Sequence, residues 1–145
     1  REVIAEFCIS VYEKYSEIFF PSSIETDGTS DEKDPESSLT ENLPYYIPTG
    51  YHETELMILT GMIQITYIDA NGDVLLFGKV LKSGLHMIIN TEGIMVEEIT
   101  INGIRGLYYS NVGLNSLVWS DNTYAYIVTG ITTKQEMIDL AISTK

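Results

Sequence analysis

The chain has 145 residues, 44% of them hydrophobic, with 21 acids against 8 basic residues and a formal charge of -13 at pH 7. That length fits one domain able to bury about two thirds of the surface its unfolded form exposes, while the charge repels phosphate backbones and anionic headgroups and so argues against nucleic acid as a partner. Cys8 is the only cysteine, so neither an intramolecular disulfide nor a thiolate zinc cluster can form within one chain.

No run approaches the roughly eighteen uninterrupted apolar residues of a spanning helix, and no basic-then-apolar leader is visible. The sequence starts at Arg1 without methionine, as a processed or trimmed fragment would. A membrane contact is therefore expected only through a segment that lies outside this chain.

Residues 1–21 place Ile4, Phe7, Cys8, Val11, Tyr15 and Ile18 at spacings of three and four. That spacing gathers them on one side of a helix starting near residue 2; its second half, "YSEIFF", is rich in strand-favouring residues and has an extended segment as its alternative, and Pro21 stops it in either case. Residues 22–42, "SSIETDGTSDEKDPESSLTEN", carry seven acids, one lysine and almost nothing to bury. Such a segment cannot offset its own ordering entropy, and a flexible acidic loop is expected. The third region, residues 43–145, opens with "LPYYIPTGY", where two prolines and Gly50 enforce an extended lead-in and a turn.

Strands are predicted from there on. Residues 52–59 form one, and residues 62–69 a second, with Ile63, Ile65 and Tyr67 on one face and Gln64 and Thr66 on the other. "DANGDV" joins it to a return strand over 73–82, because Asn71-Gly72 is a strong two-residue hairpin signal. Short segments at 85–90, 94–101, 106–110, 116–120 and 124–130, each bounded by Gly, Asn, Ser or Asp, continue what reads as an antiparallel meander. "WSDNTY" is the turn before the last strand, with Leu117 and Trp119 on one face ahead of it and Tyr124, Tyr126 and Val128 alternating after it. A closing helix starts at a capping box, Thr132 with Gln135 or Thr133 with Glu136, and Met137, Ile138, Leu140 and Ala141 make its apolar stripe. The predicted architecture is α+β: an antiparallel sheet packed by an N-terminal and a C-terminal helix.

Residues able to do chemistry are scattered. His52 and His86 belong to no HExxH or HxH arrangement, and Cys8 lies on the apolar stripe of the first helix. Asp69, Asn71 and Asp73 alternate as in the start of a calcium loop, but Val74 and Val80 stand where its glycine and bidentate glutamate belong. "NGIRG" has the glycine spacing of a nucleic-acid clamp without its basic surroundings, and a tight turn accounts for both glycines. Glu97 and Glu98 point to opposite faces of a strand and cannot share a proton. Arg105 is expected as an exposed turn residue. No cofactor and no catalytic set is predicted. The tyrosines are the candidates for binding: Tyr45, Tyr46 and Tyr51 around the proline-rich lead-in, and the adjacent Tyr108 and Tyr109, since aromatic surface with acidic surroundings suits a peptide or a glycan.

From "LPYYIPTGY" onward the chain resembles a bacterial family, the domain of unknown function 4367. The resemblance rests on Pro48, Gly50 and Tyr51, the strand pair joined by "ANGD", "NTEG" at residues 90–93, the "INGIRG" turn, "LVWSDNTYAYIVTG" and the closing "TTKQEMIDLAIST" helix. Asn90 departs from the aspartate that members often carry. The resemblance implies an extracytoplasmic domain carried after a single membrane span, in proteins that look like anti-sigma or other envelope regulators, and supplies no catalytic residue. The expected function is a noncatalytic sensor or protein-interaction domain of an envelope protein. The alternatives are a secreted or surface carbohydrate- or peptide-binding module, and a hydrolase that would need Cys8, His52 or His86.

Overall fold

A computed structural model describes residues 37–82, 96–111 and 113–144. The predicted N-terminal helix, the acidic segment up to residue 36, the strand expected at 85–90, Cys8 and His86 all lie outside the described residues.

Among the described residues, a short 3-10 helix (Ser37–Thr40) precedes β1 (His52–Leu59), β2 (Met62–Ile68), β3 (Val74–Leu81), β4 (Val96–Ile101), β5 (Ile104–Asn111), β6 (Leu114–Ser120) and β7 (Tyr124–Gly130). A helix, α1 (Lys134–Ile142), closes the chain. The strands form one antiparallel sheet in the order β1-β2-β3-β7-β6-β5-β4. The expected single meander is thus two, β1 to β3 and β4 to β7, joined along β3 and β7. Burial explains the exchange of neighbours. Every residue of β7 is buried, which demands a central place with cover on both faces, whereas β4 carries the exposed Glu97 and Glu98 that suit an edge.

Register fixes the faces. Ile65, Phe77, Val128 and Leu117 stand opposite one another across β2, β3, β7 and β6, as do Lys79, Tyr126 and Trp119 across the last three. On this face Met137, Leu140 and Ala141 of α1 and Leu39 of the 3-10 helix complete the core. On the reverse face Leu76, Val80, Leu107, Val118 and Ile127 are buried as well. Gln64 and Thr66 face that side, opposite Ile65 and Tyr67 as their alternation predicts, yet they too are buried. Leu39 departs from the expectation of a segment with nothing to bury: it is 2% exposed and anchors the end of the acidic stretch.

Turn chemistry differs between the two Asn-Gly pairs. Asn102 and Gly103 both have positive φ, and Ile101 faces Ile104, a two-residue hairpin of the expected kind. At residues 69–73 only Gly72 does so. The Asp69 carboxylate accepts the N–H groups of Asn71 and Asp73, and Gly72 N–H bonds to Asp69 O, which makes a wider turn that the predicted two-residue loop does not describe.

Thr54 is the extra residue of a bulge between Glu53 and Glu55, and its hydroxyl donates to Thr66 O in place of a ladder bond. Gly106 is not a turn residue. It lies within β5 opposite Trp119, where a Cβ would come 3.3 Å from the Val118 carbonyl oxygen and 3.4 Å from the Trp119 Cβ, so its role is packing. Gly130 is tighter still, since a Cβ there would meet Leu75 and the Val74 carbonyl at 2.9 Å. Of the predicted capping boxes, Thr133 with Glu136 forms.

Candidate functional site

The tryptophan hairpin is a structural knot. Asp121 Oδ1 accepts the N–H groups of Thr123 and Tyr124 at 2.8 and 2.7 Å, and Oδ2 accepts the Tyr126 hydroxyl at 3.1 Å. Lys82 Nζ donates to Asp121 O. The Tyr126 ring stacks on Trp119 with centroids 5.0 Å apart and planes within 6°. Burial first, and then the Asp121 charge, push the Tyr126 phenol well above its ordinary pKa.

Lys79 completes this cluster. Its backbone lies in the middle of the sheet, and its ammonium donates to Ser38 O at 3.1 Å and Glu41 O at 2.6 Å while lying 4.3 Å from the Tyr124 ring centroid. Burial lowers its pKa, against the opposing pull of Asp121 and Glu41. The sequence did carry this signal: in "LLFGKVL" the two-residue period puts Lys79 on the core side with Phe77 and Leu81.

Beyond Lys79 the chain runs as a strap toward β1. Leu43 and Ile47 pack against the core, which leaves Tyr45 87% and Tyr46 37% exposed. Both tyrosine N–H groups donate to Ser143 Oγ, at 2.8 and 3.0 Å, and that hydroxyl donates to Leu140 O. The pair is thus displayed from a fixed backbone at the end of α1. The neighbouring Ile142 is exposed, and its carbonyl accepts Asn102 Nδ2.

The other tyrosines lie elsewhere. Tyr51 packs on the margin of the core, and its phenol is raised by burial and then by Asp69, Asp73 and Glu136. Tyr108 is half-buried on the helix face, where Lys134 Nζ lies 5.4 Å from its ring and 2.5 Å from Glu97. Tyr109 is buried on the reverse face. The structure therefore brings together Tyr45 and Tyr46 and separates Tyr108 from Tyr109.

His52 is exposed at the start of β1. Arg105 lies within β5 and not in the turn before it, and pairs with Glu98 at 3.0 Å, both exposed, while Glu97 turns to the helix face. Among the described residues no group of three or more His, Cys, Asp or Glu side chains could hold a metal ion, and no helix is long and apolar enough to cross a membrane. A second surface was not foreseen: Leu56, Ile58 and Leu59 of β1 are 47%, 56% and 41% exposed.

The model of a family described as "Domain of unknown function (DUF4367)" matches residues 42–143. No curated protein and no solved structure matches.

Proposed function

The chain belongs to the domain of unknown function 4367 family, and from that premise we propose that it is a noncatalytic extracytoplasmic sensor or protein-interaction domain of a membrane-anchored bacterial envelope protein, of the anti-sigma-type regulator class. One observation carries the reading: polar side chains that could do chemistry, Asp69, Asp121, Lys79 and Glu136, are engaged in turns, caps and carbonyl bonds, while aromatic and aliphatic side chains face outward. Surfaces of that kind bind. In the same proposal the amphipathic residues 1–21 supply the N-terminal helix of the α+β architecture.

The experiment places a photo-crosslinking amino acid at Tyr45 of the full-length protein in its native envelope. A specific protein adduct that is lost with an excess of the isolated domain is expected, together with a hydrophobic span upstream of Arg1 in the reading frame. A reading frame without such a span, or crosslinking indistinguishable from that at Glu98, overturns the proposal.

The exposure of Tyr45 on a pinned backbone favours one second reading, a surface carbohydrate- or peptide-binding module. Its test is a glycan and peptide array with Tyr45→Ala, which removes contact area without touching the core. Tyr51→Ala serves less well because Tyr51 packs against the core. A hit weakened at least about tenfold by Tyr45→Ala supports this reading.

A further inference from the structure

Among the described residues β1 is an edge strand: β2 is its neighbour in the sheet and no described strand lies beyond it in the strand order. Long exposed edges are commonly blunted by lysine, proline or an inward charge, because unpaired N–H and C=O groups accept a further strand. "HETELMIL" has no lysine and no proline. Its one irregularity, the bulge at Glu53 and Glu55, lies in the first half and leaves residues 55–59 in regular register with β2.

Leu56, Ile58 and Leu59 of that regular half are apolar and exposed. Leu56 and Ile58 face the same side as the helical layer, by their pairing with Ile65 and Ile63. Among the described residues α1 packs chiefly over β4, β6 and β7 and the 3-10 helix over β2 and β3, and both side chains stay exposed. Leu56 and Ile58 thus form an apolar shelf beside an open edge. Charge decides what fits there. Glu53, opposite Tyr67 and so on the same face, stands at one end of the shelf, and a chain of formal charge -13 repels a second copy of itself.

We propose that β1 is the docking edge of this domain, taking an extended, basic and apolar segment of a partner protein by strand addition. Main-chain hydrogen bonds along the regular half of β1 supply the affinity, Leu56 and Ile58 receive apolar side chains, and Glu53 selects lysine or arginine. This inference rests on the interaction-domain reading above and assigns it a surface.

The test uses the whole chain and an eight-residue probe of alternating valine and lysine, matched to the length of β1, with a valine–glutamate peptide as its control. The expected result is binding of the basic peptide alone, slowed amide hydrogen exchange confined to β1 and its neighbour, and affinity that falls with added salt. Ile58→Lys and, independently, Leu56→Lys should each weaken binding at least about tenfold; both positions are exposed, so the fold should survive.

Failure of the basic peptide to bind, equal binding of the acidic peptide, or exchange protection mapping to Tyr45 and Tyr46 overturns the edge proposal. So does a concentration-dependent dimer that Ile58→Lys abolishes, which would make a second copy the occupant. Protection at Tyr45 and Tyr46 would move the docking surface there and keep the interaction reading, and the other results leave the crosslinking at Tyr45 untouched, so the edge and the interaction reading fail separately.

Discussion

Two polar residues buried in the middle of the sheet behave differently. Lys79 is wholly buried and has two carbonyl acceptors and a ring beneath it. Gln64, 1% exposed and opposite Gly78 and Met57, has no hydrogen-bond partner among the described residues at either Oε1 or Nε2. An unsatisfied buried amide costs about 1–3 kcal/mol, and an apolar replacement of similar shape removes that cost. Gln64→Met is therefore expected to stabilise the chain by about 1–2 kcal/mol in urea unfolding; destabilisation would mean that the amide is bonded in solution. Alternation alone assigned Gln64 to the correct side of β2. It could not show that the side is buried, because Thr66, Ser116 and Thr129 give that face a polar spelling although Ser116 and Thr129 satisfy each other at 2.9 Å. Tyr109 was obscured for the same reason: adjacent strand residues take opposite faces, but only packing decides which face is wet.

Local chemistry made most single elements legible. The bounds of β1 and β7 and the start of β2 coincide with the strands read from residue patterns, since glycine, asparagine and aspartate punctuate the chain where turns form. The strap over residues 38–47 was not legible. Leu39, Leu43 and Ile47 dip into the core from an irregular segment, and nothing in local composition distinguishes an acidic tail that is free from one held by a lysine about forty residues away. Lys79→Met isolates that clamp. It relieves the desolvation of a buried ammonium but leaves Ser38 O and Glu41 O without their donor, and the lost charge-assisted bonds outweigh the relief. The expected outcome is a stability loss of about 1–3 kcal/mol with markedly faster proteolytic cleavage between residues 38 and 46. A variant that loses stability while the strap stays as protected as in the parent would assign Lys79 to the core alone.

The order of strands is a property of the whole molecule, and no local signal carried it: pairing β3 with β7 instead of with the strand expected next in sequence follows from which strands need cover on both faces. The same burial makes stability depend on pH at the alkaline end. Burial first, and then Glu53, raise the Tyr67 phenol far above its ordinary value, and burial and Asp121 do so for Tyr126. Their folded pKa values lie above the unfolded one of about 10. The unfolded chain thus releases these protons first, so the stabilisation is complete below that pH and is lost as pH climbs through the folded values. Lys79 has the opposite sign. Its lowered folded pKa means the unfolded chain holds the extra proton between that value and about 10.4, so stability rises with pH across that window and then levels. Above pH of about 10 the phenols dominate, each steepening the loss by roughly 1.4 kcal/mol per pH unit. Guanidinium midpoints followed by Trp119 fluorescence at successive alkaline pH values should fall beyond that point. Tyr67→Phe, which removes one titrating group without disturbing the Asp121 knot, should make the fall shallower. A midpoint that holds level well above pH of about 10, or a Tyr67→Phe chain that falls as steeply as the parent, would mean that water reaches the phenols and that the aromatic layer beneath α1 is looser than its packing implies.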